Sequence, residues 1–484
     1  MSEAIRETNV HRRSLLTSLT ALAASPLAPR QSFAEPVTVL DLQTRTIEVN
    51  GKAATVLGIT QPDGTSGLVT DVALPFRVQV RNHLDRTSLI HWHGLTPPFQ
   101  QDGVPYVSAP PIPAGGTQNY DFRLDFPGTF WMHSHVGFQE QQLLSAPLII
   151  HDAGTRGASV QEIVVMLHDF TFSDPREVFA SLKQGGRKQT TSAPPAMSNM
   201  QNMKPDLNDV DYDAFLANDR TLADPNVTRV EPGGHVRLRL INGSAATNYW
   251  IDLGELRGTL IAVDGTPVKP VALQSLPLAI AQRADILIEV PREQGAHAIL
   301  AQVEGKTDRT GIVLATARAN VTRIEGNAGR PSPAFDFTFE QALRAAKPLA
   351  PHPAGIVRDV LLSGDMQAYV WMMDNQVYPK ITPVTVSAGT RVELVMRNKT
   401  MMSHPMHLHG HRFQVIGFDQ QRFPGAVRDT VLVPPLRTVT VAFDADNPGR
   451  WAFHCHNLWH LAAGMMAVVD YTGIPMPSLP PEID

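Results

Sequence analysis

An all-β chain built from three β-sandwich units is what this sequence predicts, and three observations carry the prediction. Runs that alternate apolar and polar residues recur along the chain, a period that puts successive side chains on opposite faces of a sheet. Turn formers separate those runs: 39 Pro and 34 Gly in 484 residues suit many short strands better than long helices. The chain also repeats itself, because an alternating strand ending in Asn occurs as Phe76 to Asn82, His235 to Asn242 and Arg391 to Asn398. At roughly 150 residues per domain, 484 residues leave room for about three such units.

Taken in order, residues 1–35 read as an export signal. Arg12 and Arg13 precede a mostly apolar run from Leu15 to Ala28, and Ser32-Phe33-Ala34 offers small residues for cleavage. The pattern is that of a twin-arginine signal, which implies the twin-arginine export machinery as a partner and a periplasmic or secreted protein. No later segment approaches ~18 consecutive apolar residues, so no membrane span is expected. The first unit is placed at 36–155 and the second at 156–320, both as antiparallel sandwiches. A polar insertion from Ser192 to Asp213 in the second unit carries Met197, Met200 and Met203. A linker rich in Pro and Ala follows at 321–349, with a short helix expected from Phe339 to Ala346. The third unit is placed at 350–484.

Composition narrows the function. A net charge of -5 with 18% charged residues argues against a broadly basic nucleic-acid binder. One cysteine excludes an intrachain disulfide and any all-cysteine metal site, yet there are 18 His.

Much of that histidine lies in matched pairs. Asp125-Phe126-Pro127-Gly128-Thr129-Phe130-Trp131-Met132-His133-Ser134-His135 aligns without a gap on Asp446-Asn447-Pro448-Gly449-Arg450-Trp451-Ala452-Phe453-His454-Cys455-His456. Ser88-Leu89-Ile90-His91-Trp92-His93-Gly94 aligns on His404-Pro405-Met406-His407-Leu408-His409-Gly410. The middle unit has no such pair. On a strand, residues two apart share a side, so each His-x-His projects two imidazoles together. Imidazoles without an acidic cluster suit Cu, Zn, Fe or Ni better than Mg or Ca.

Cys455 separates these metals. It lies between His454 and His456, with His460, Met465 and His404 close in the same unit. A cysteine thiolate, two His and a weak axial Met are the ligand set of a blue-copper site. Met466 competes with Met465 as the thioether, and the spacing favours Met465. In the first unit the matching positions are Ser88, Ser134, Gln139 and Leu144. The outer units therefore share the paired histidines, and only the third has the thiol.

This pattern resembles the multicopper oxidases: laccases, ascorbate oxidase and bacterial cuprous oxidases. The resemblance spans essentially the whole chain after the signal. It implies three cupredoxin-like Greek-key β-sandwich domains and four copper ions per chain. By motif, His404, Cys455, His460 and Met465 would bind a type 1 copper, and His91 and His407 a type 2 copper. His93, His133, His135, His409, His454 and His456 would bind a type 3 pair. The implied reaction oxidises a donor by single electrons and reduces O2 to water. Phenols or aromatic amines are the expected donors, with Cu(I) as the alternative; a copper-binding resistance protein is the non-enzyme alternative. Electrons are expected to enter at a solvent-facing edge of His460 and to cross through Cys455. Asp102 is assigned a proton-delivery role, its alternative being an ordinary turn Asp in Gln101-Asp102-Gly103. Leu461 stands where many bacterial members carry Glu.

Overall fold

The computed structural model describes residues 37–152, 160–185 and 205–474. The expected export signal at 1–35 and Met197, Met200 and Met203 lie outside the described residues. Strands from Thr38–Val49 to Ser145–His151 form two four-stranded sheets. Strands from Val160–Phe170 to Arg309–Ala315 form a six-stranded and a five-stranded sheet, and those from Ile356–Asp365 to Met466–Tyr471 a seven-stranded and a five-stranded sheet. Each pair of sheets encloses its own apolar core: Leu40, Phe76 and Trp92 in the first, Leu238, Tyr249 and Ile286 in the second, Leu394, Phe413 and Trp451 in the third.

The sheets are mixed, which corrects the antiparallel expectation. In each unit the opening strand runs parallel to the strand that ends in Asn: Thr38–Val49 beside Pro75–Asn82, Val160–Phe170 beside His235–Asn242, and Ile356–Asp365 beside Arg391–Asn398. A second parallel pair closes the other sheet, Leu68–Asp71 with Ser145–His151, Asn226–Arg229 with Arg309–Ala315, and Val384–Val386 with Met466–Tyr471. Parallel neighbours cannot be joined by a hairpin, so the intervening chain crosses between sheets. Alternation reports which face a residue takes and is blind to strand direction.

The recurring Asn has a physical reason. Asn82 donates its amide to the carbonyls of Arg86, Ile112 and Pro113, Asn242 to those of Thr247 and Leu278, and Asn398 to those of Met402, Val433 and Pro434. All are buried, so each satisfies loop carbonyls that water cannot reach.

Helix is scarce. The linker helix spans Thr338–Ala342, shorter than expected, because Leu343 turns extended and Ala345 bridges to Val268. Among the described residues, two further helices were not expected. Pro175–Lys183 is capped by Asp174, whose side chain accepts Arg176 N–H, with Pro at the first position. Leu458–Ala462 is capped by Asn457, which accepts from Trp459 and His460 N–H. Among the described residues no helix is long and apolar enough to cross a membrane.

Candidate metal centres

The histidine pairs occupy equivalent places in two sheets. Strand Ile90–His93 runs antiparallel to Gly128–Ser134 with His91 opposite His133, and His404–Leu408 runs antiparallel to Arg450–Cys455 with His407 opposite His454. His135, His409 and His456 lie just beyond those strands. The rings converge from both units: His91 is 3.8 Å from His409 between centroids, His93 is 3.8 Å from His407, and His135 is 5.0 Å from His454.

In six of the eight rings one buried nitrogen has no hydrogen-bond partner. His91 Nε2, His93 Nδ1, His133 Nε2, His135 Nε2, His407 Nε2 and His456 Nε2 are buried and accept or donate no hydrogen bond. His409 Nε2 faces His454 Nε2 at 3.0 Å. Such a gathering of unsatisfied ring nitrogens is costly for a protein alone and fits cations held at the centre. The opposite nitrogens are tied down. His91 Nδ1 donates to the Asp102 carbonyl at 2.8 Å, His407 Nδ1 to the Asp429 carbonyl at 2.8 Å, and His454 Nδ1 to the Cys455 carbonyl at 2.9 Å. These bonds fix the tautomer and turn the free lone pair inward. Burial, reinforced by neighbouring imidazoles, holds His93, His133, His135, His407, His409 and His456 well below the usual range. Burial likewise pushes His454 down to about 4. Neutral imidazole is the form that ligates a metal.

A second group lies one residue away along the chain. His404 Nδ1 and His460 Nδ1 are 3.1 Å apart, and Cys455 Sγ lies 3.7 and 3.5 Å from them. All three residues are fully buried. Burial pushes the Cys455 thiol up, and a bound cation would favour its thiolate. Met465 belongs to the same apolar cluster as Cys455, whereas Met466 belongs to another with Val104 and Val107. Packing thus distinguishes the two thioethers. The donor set of this group, N, N and S with a thioether alongside, fits copper by its softness.

In the first unit the equivalent space is filled by hydrogen bonds. Ser88 and Ser134 hydroxyls both donate to Gln139 Oε1 at 2.7 Å, and Gln139 Nε2 donates to the Thr87 carbonyl. Leu144 packs in the apolar core.

Asp102 is fully buried, and its carboxylate accepts from His409 Nδ1 at 2.9 Å. Gly103 supports this placement at φ +88°, where an added Cβ would lie 1.8 Å from the Ile90 carbonyl oxygen.

One expectation fails. His460 has no solvent-facing edge: it is 0% exposed. Trp371 packs on its ring at 4.1 Å, and Nε2 makes an ion-pair contact of 3.2 Å with Asp209 Oδ2. Asp209 also accepts from Asn457 Nδ2 at 2.7 Å. Residues folded over this site from the middle unit were not foreseen, because neighbours across units leave no local pattern.

Acidic groups were also missed. Asp429 Oδ1 lies 3.1 Å from His93 Nε2 and accepts from Nη1 of the buried Arg283, while Oδ2 accepts from its Nη2. Glu140 Oε2 lies 2.9 Å from His133 Nδ1, and burial followed by the charge of Asp169 pushes its carboxyl up. A charged pair, Arg428-Asp429, inside the apolar run Val427 to Val433 was a readable signal for the first. Glu140 had none.

Comparison with known proteins agrees with this geometry. Family models described as Multicopper oxidase match residues 42–155, 161–326 and 351–473. The multicopper oxidase MmcO of Mycobacterium tuberculosis is 32% identical over 81% of this chain and 79% of its own. A copper resistance protein A homolog of Pseudomonas syringae pv. tomato is 28% identical over 81% of this chain and 85% of its own. The crystal structure of Fet3p, a multicopper oxidase that functions in iron import, superposes with a TM-score of 0.74 at 20% identity, covering 90% of each chain. With three cupredoxin-type sandwiches, buried inward-facing imidazoles and these relatives, the chain belongs to the multicopper oxidase family and is a copper-dependent oxidoreductase with O2 as acceptor.

Proposed function

We propose that His404, Cys455, His460 and Met465 hold the type 1 copper, His91 and His407 the type 2 copper, and His93, His133, His135, His409, His454 and His456 the type 3 pair. The same reading divides the chain into a signal at 1–35, units at 36–155, 156–320 and 350–484, and a linker at 321–349. Copper, when bound, supplies the one-electron chemistry that carries a donor's electrons to O2. Cys455 links the two centres covalently, being adjacent in sequence to His454 and His456. Asp102 orients His91 and His409, and its Oδ1, buried without a hydrogen-bond partner, is free to hold a proton beside them.

The donor is a small cation, Cu(I), rather than a bulky phenol. The observation that carries this is the buried His460 edge, met by the carboxylate of Asp209 instead of an open cleft. The copper resistance relative supports it. A phenol or aromatic amine is the second reading, favoured by the aromatic wall of Phe138, Phe179, Trp459 and Tyr369 around this site. Oxygen uptake measured with Cu(I) and with a phenol on copper-loaded protein separates them. Asp209→Asn is expected to raise KM for Cu(I) about tenfold and to leave phenol turnover within twofold, a scale typical of a lost charge contact. Faster uptake with the phenol, unaltered by Asp209→Asn, would reverse the assignment. Export by the twin-arginine route to the periplasm or beyond belongs to the same reading; Arg12→Lys with Arg13→Lys should leave the protein in the cytoplasm.

A further inference from the structure

Behind the converging imidazoles stand three buried carboxylates, each facing one ring from the first unit and one from the third. Asp102 faces His91 at 3.3 Å and His409 at 2.9 Å. Asp429 faces His93 at 3.1 Å and His407 at 3.7 Å. Glu140 faces His133 at 2.9 Å and His456 at 3.7 Å. Of these, Glu140 has the clearest unused capacity. Its side chain is 4% exposed, and Oε1 has no hydrogen-bond partner.

The backbone that carries Glu140 is held on both sides. Gln139 is locked by Ser88, Ser134 and Thr87, and Gln141 accepts from the Tyr212 hydroxyl at 2.9 Å. Leu143 N–H donates to the Glu140 carbonyl at 2.9 Å. A carboxylate so fixed has little freedom to retreat from the rings it faces.

We propose that Glu140 is a positioning residue for the copper cluster, clamping His133 and His456 across the junction of the first and third units. One oxygen lies 2.9 Å from His133 Nδ1, which also meets the Ser134 carbonyl at 3.2 Å, and the other faces His456 Nδ1 at 3.7 Å. Both rings then present Nε2 inward, where each is unpartnered. Burial opposes ionisation of Glu140 and cations at the centre would favour it; as a carboxylate it has two acceptor oxygens, whereas a glutamine turns one of them into a donor that opposes a ring N–H. The clamp rests on the trinuclear assignment above.

The test compares the wild type with Glu140→Gln and Glu140→Asp, all copper-loaded. The readouts are copper per chain, the blue band, the near-ultraviolet absorption of the coupled copper pair, and kcat and KM for O2 measured separately. Outer partners of metal-bound histidines typically contribute 10–100-fold. Glu140→Gln is therefore expected to keep the blue band, to weaken the near-ultraviolet absorption, and to lower kcat about 10–100-fold. Glu140→Asp, which keeps the charge but shortens the reach, should fall between. A Glu140→Gln protein with wild-type near-ultraviolet absorption and kcat overturns the clamp. If that variant does not fold, Glu140→Asp decides: altered near-ultraviolet absorption with an intact blue band upholds the clamp, and wild-type values overturn it. A wild type holding a single copper without the near-ultraviolet absorption overturns the trinuclear assignment itself, and the clamp with it.

Discussion

At the residue scale, the informative positions are those where the two outer units differ. Ser134 and Cys455 occupy equivalent sites, and the first is held by Gln139 while the second faces two imidazole nitrogens. A thiol and a hydroxyl are nearly the same size, so the fold tolerates either and the chemistry decides. Cys455→Ser is expected to abolish the blue absorption and to lower bound copper by one ion per chain, with the converging imidazoles still loaded. Retention of the blue band in that variant would refute the ligand assignment. The identities of Cys455, Asp102 and the paired histidines were legible because each stands in a motif. Glu140 and Asp209 were not, because their partners are remote: Asp209 meets His460 from another unit.

At the scale of elements, short segments are fixed by single polar side chains. Asn457 caps the helix Leu458–Ala462 and so sets the direction in which His460 leaves it. Glu304, at the end of strand Ala296–Val303, pins the linker by accepting Phe335 N–H at 2.5 Å and Asn248 Nδ2 at 2.8 Å. Burial pushes its carboxyl from the model-compound value of 4.5 up to about 7, against the opposing pull of those bonds. The folded protein therefore holds a proton there that the unfolded chain has lost between about pH 4.5 and pH 7. The unfolded state binds fewer protons over that window, so this group makes stability fall as pH rises, by about 3 kcal/mol at most, and the effect levels off above the folded value. Denaturant unfolding of wild type and Glu304→Gln across this range should show the variant gaining on the wild type as pH rises. A constant difference between them would show that Glu304 stays ionised when folded.

At the scale of the whole molecule, the middle unit is the brace. Arg283 donates from that unit to Asp429 in the third and to the Thr129 carbonyl in the first, and it is fully buried. Asp264, also fully buried, joins Arg428 to the same array. Removing one member of a buried ion pair typically costs about 3–5 kcal/mol, because the other charge is left unpaired. Arg283→Met should cost that much in denaturant unfolding and should also disturb His93, which Asp429 faces. A loss below about 1 kcal/mol would mean that the array is not a brace.

The sequence by itself determined the repeat, the strand content and the inventory of side chains that could ligate a metal, because periodicity and motif spacing are local properties. It was silent on strand direction, since alternation is the same in parallel and antiparallel strands. Only the tertiary structure decided which imidazoles meet, which carboxylates stand behind them, and that His460 is buried. Those facts depend on contacts across 336 residues in the case of His93 with Asp429 and 307 in that of His409 with Asp102, separations that no local pattern encodes.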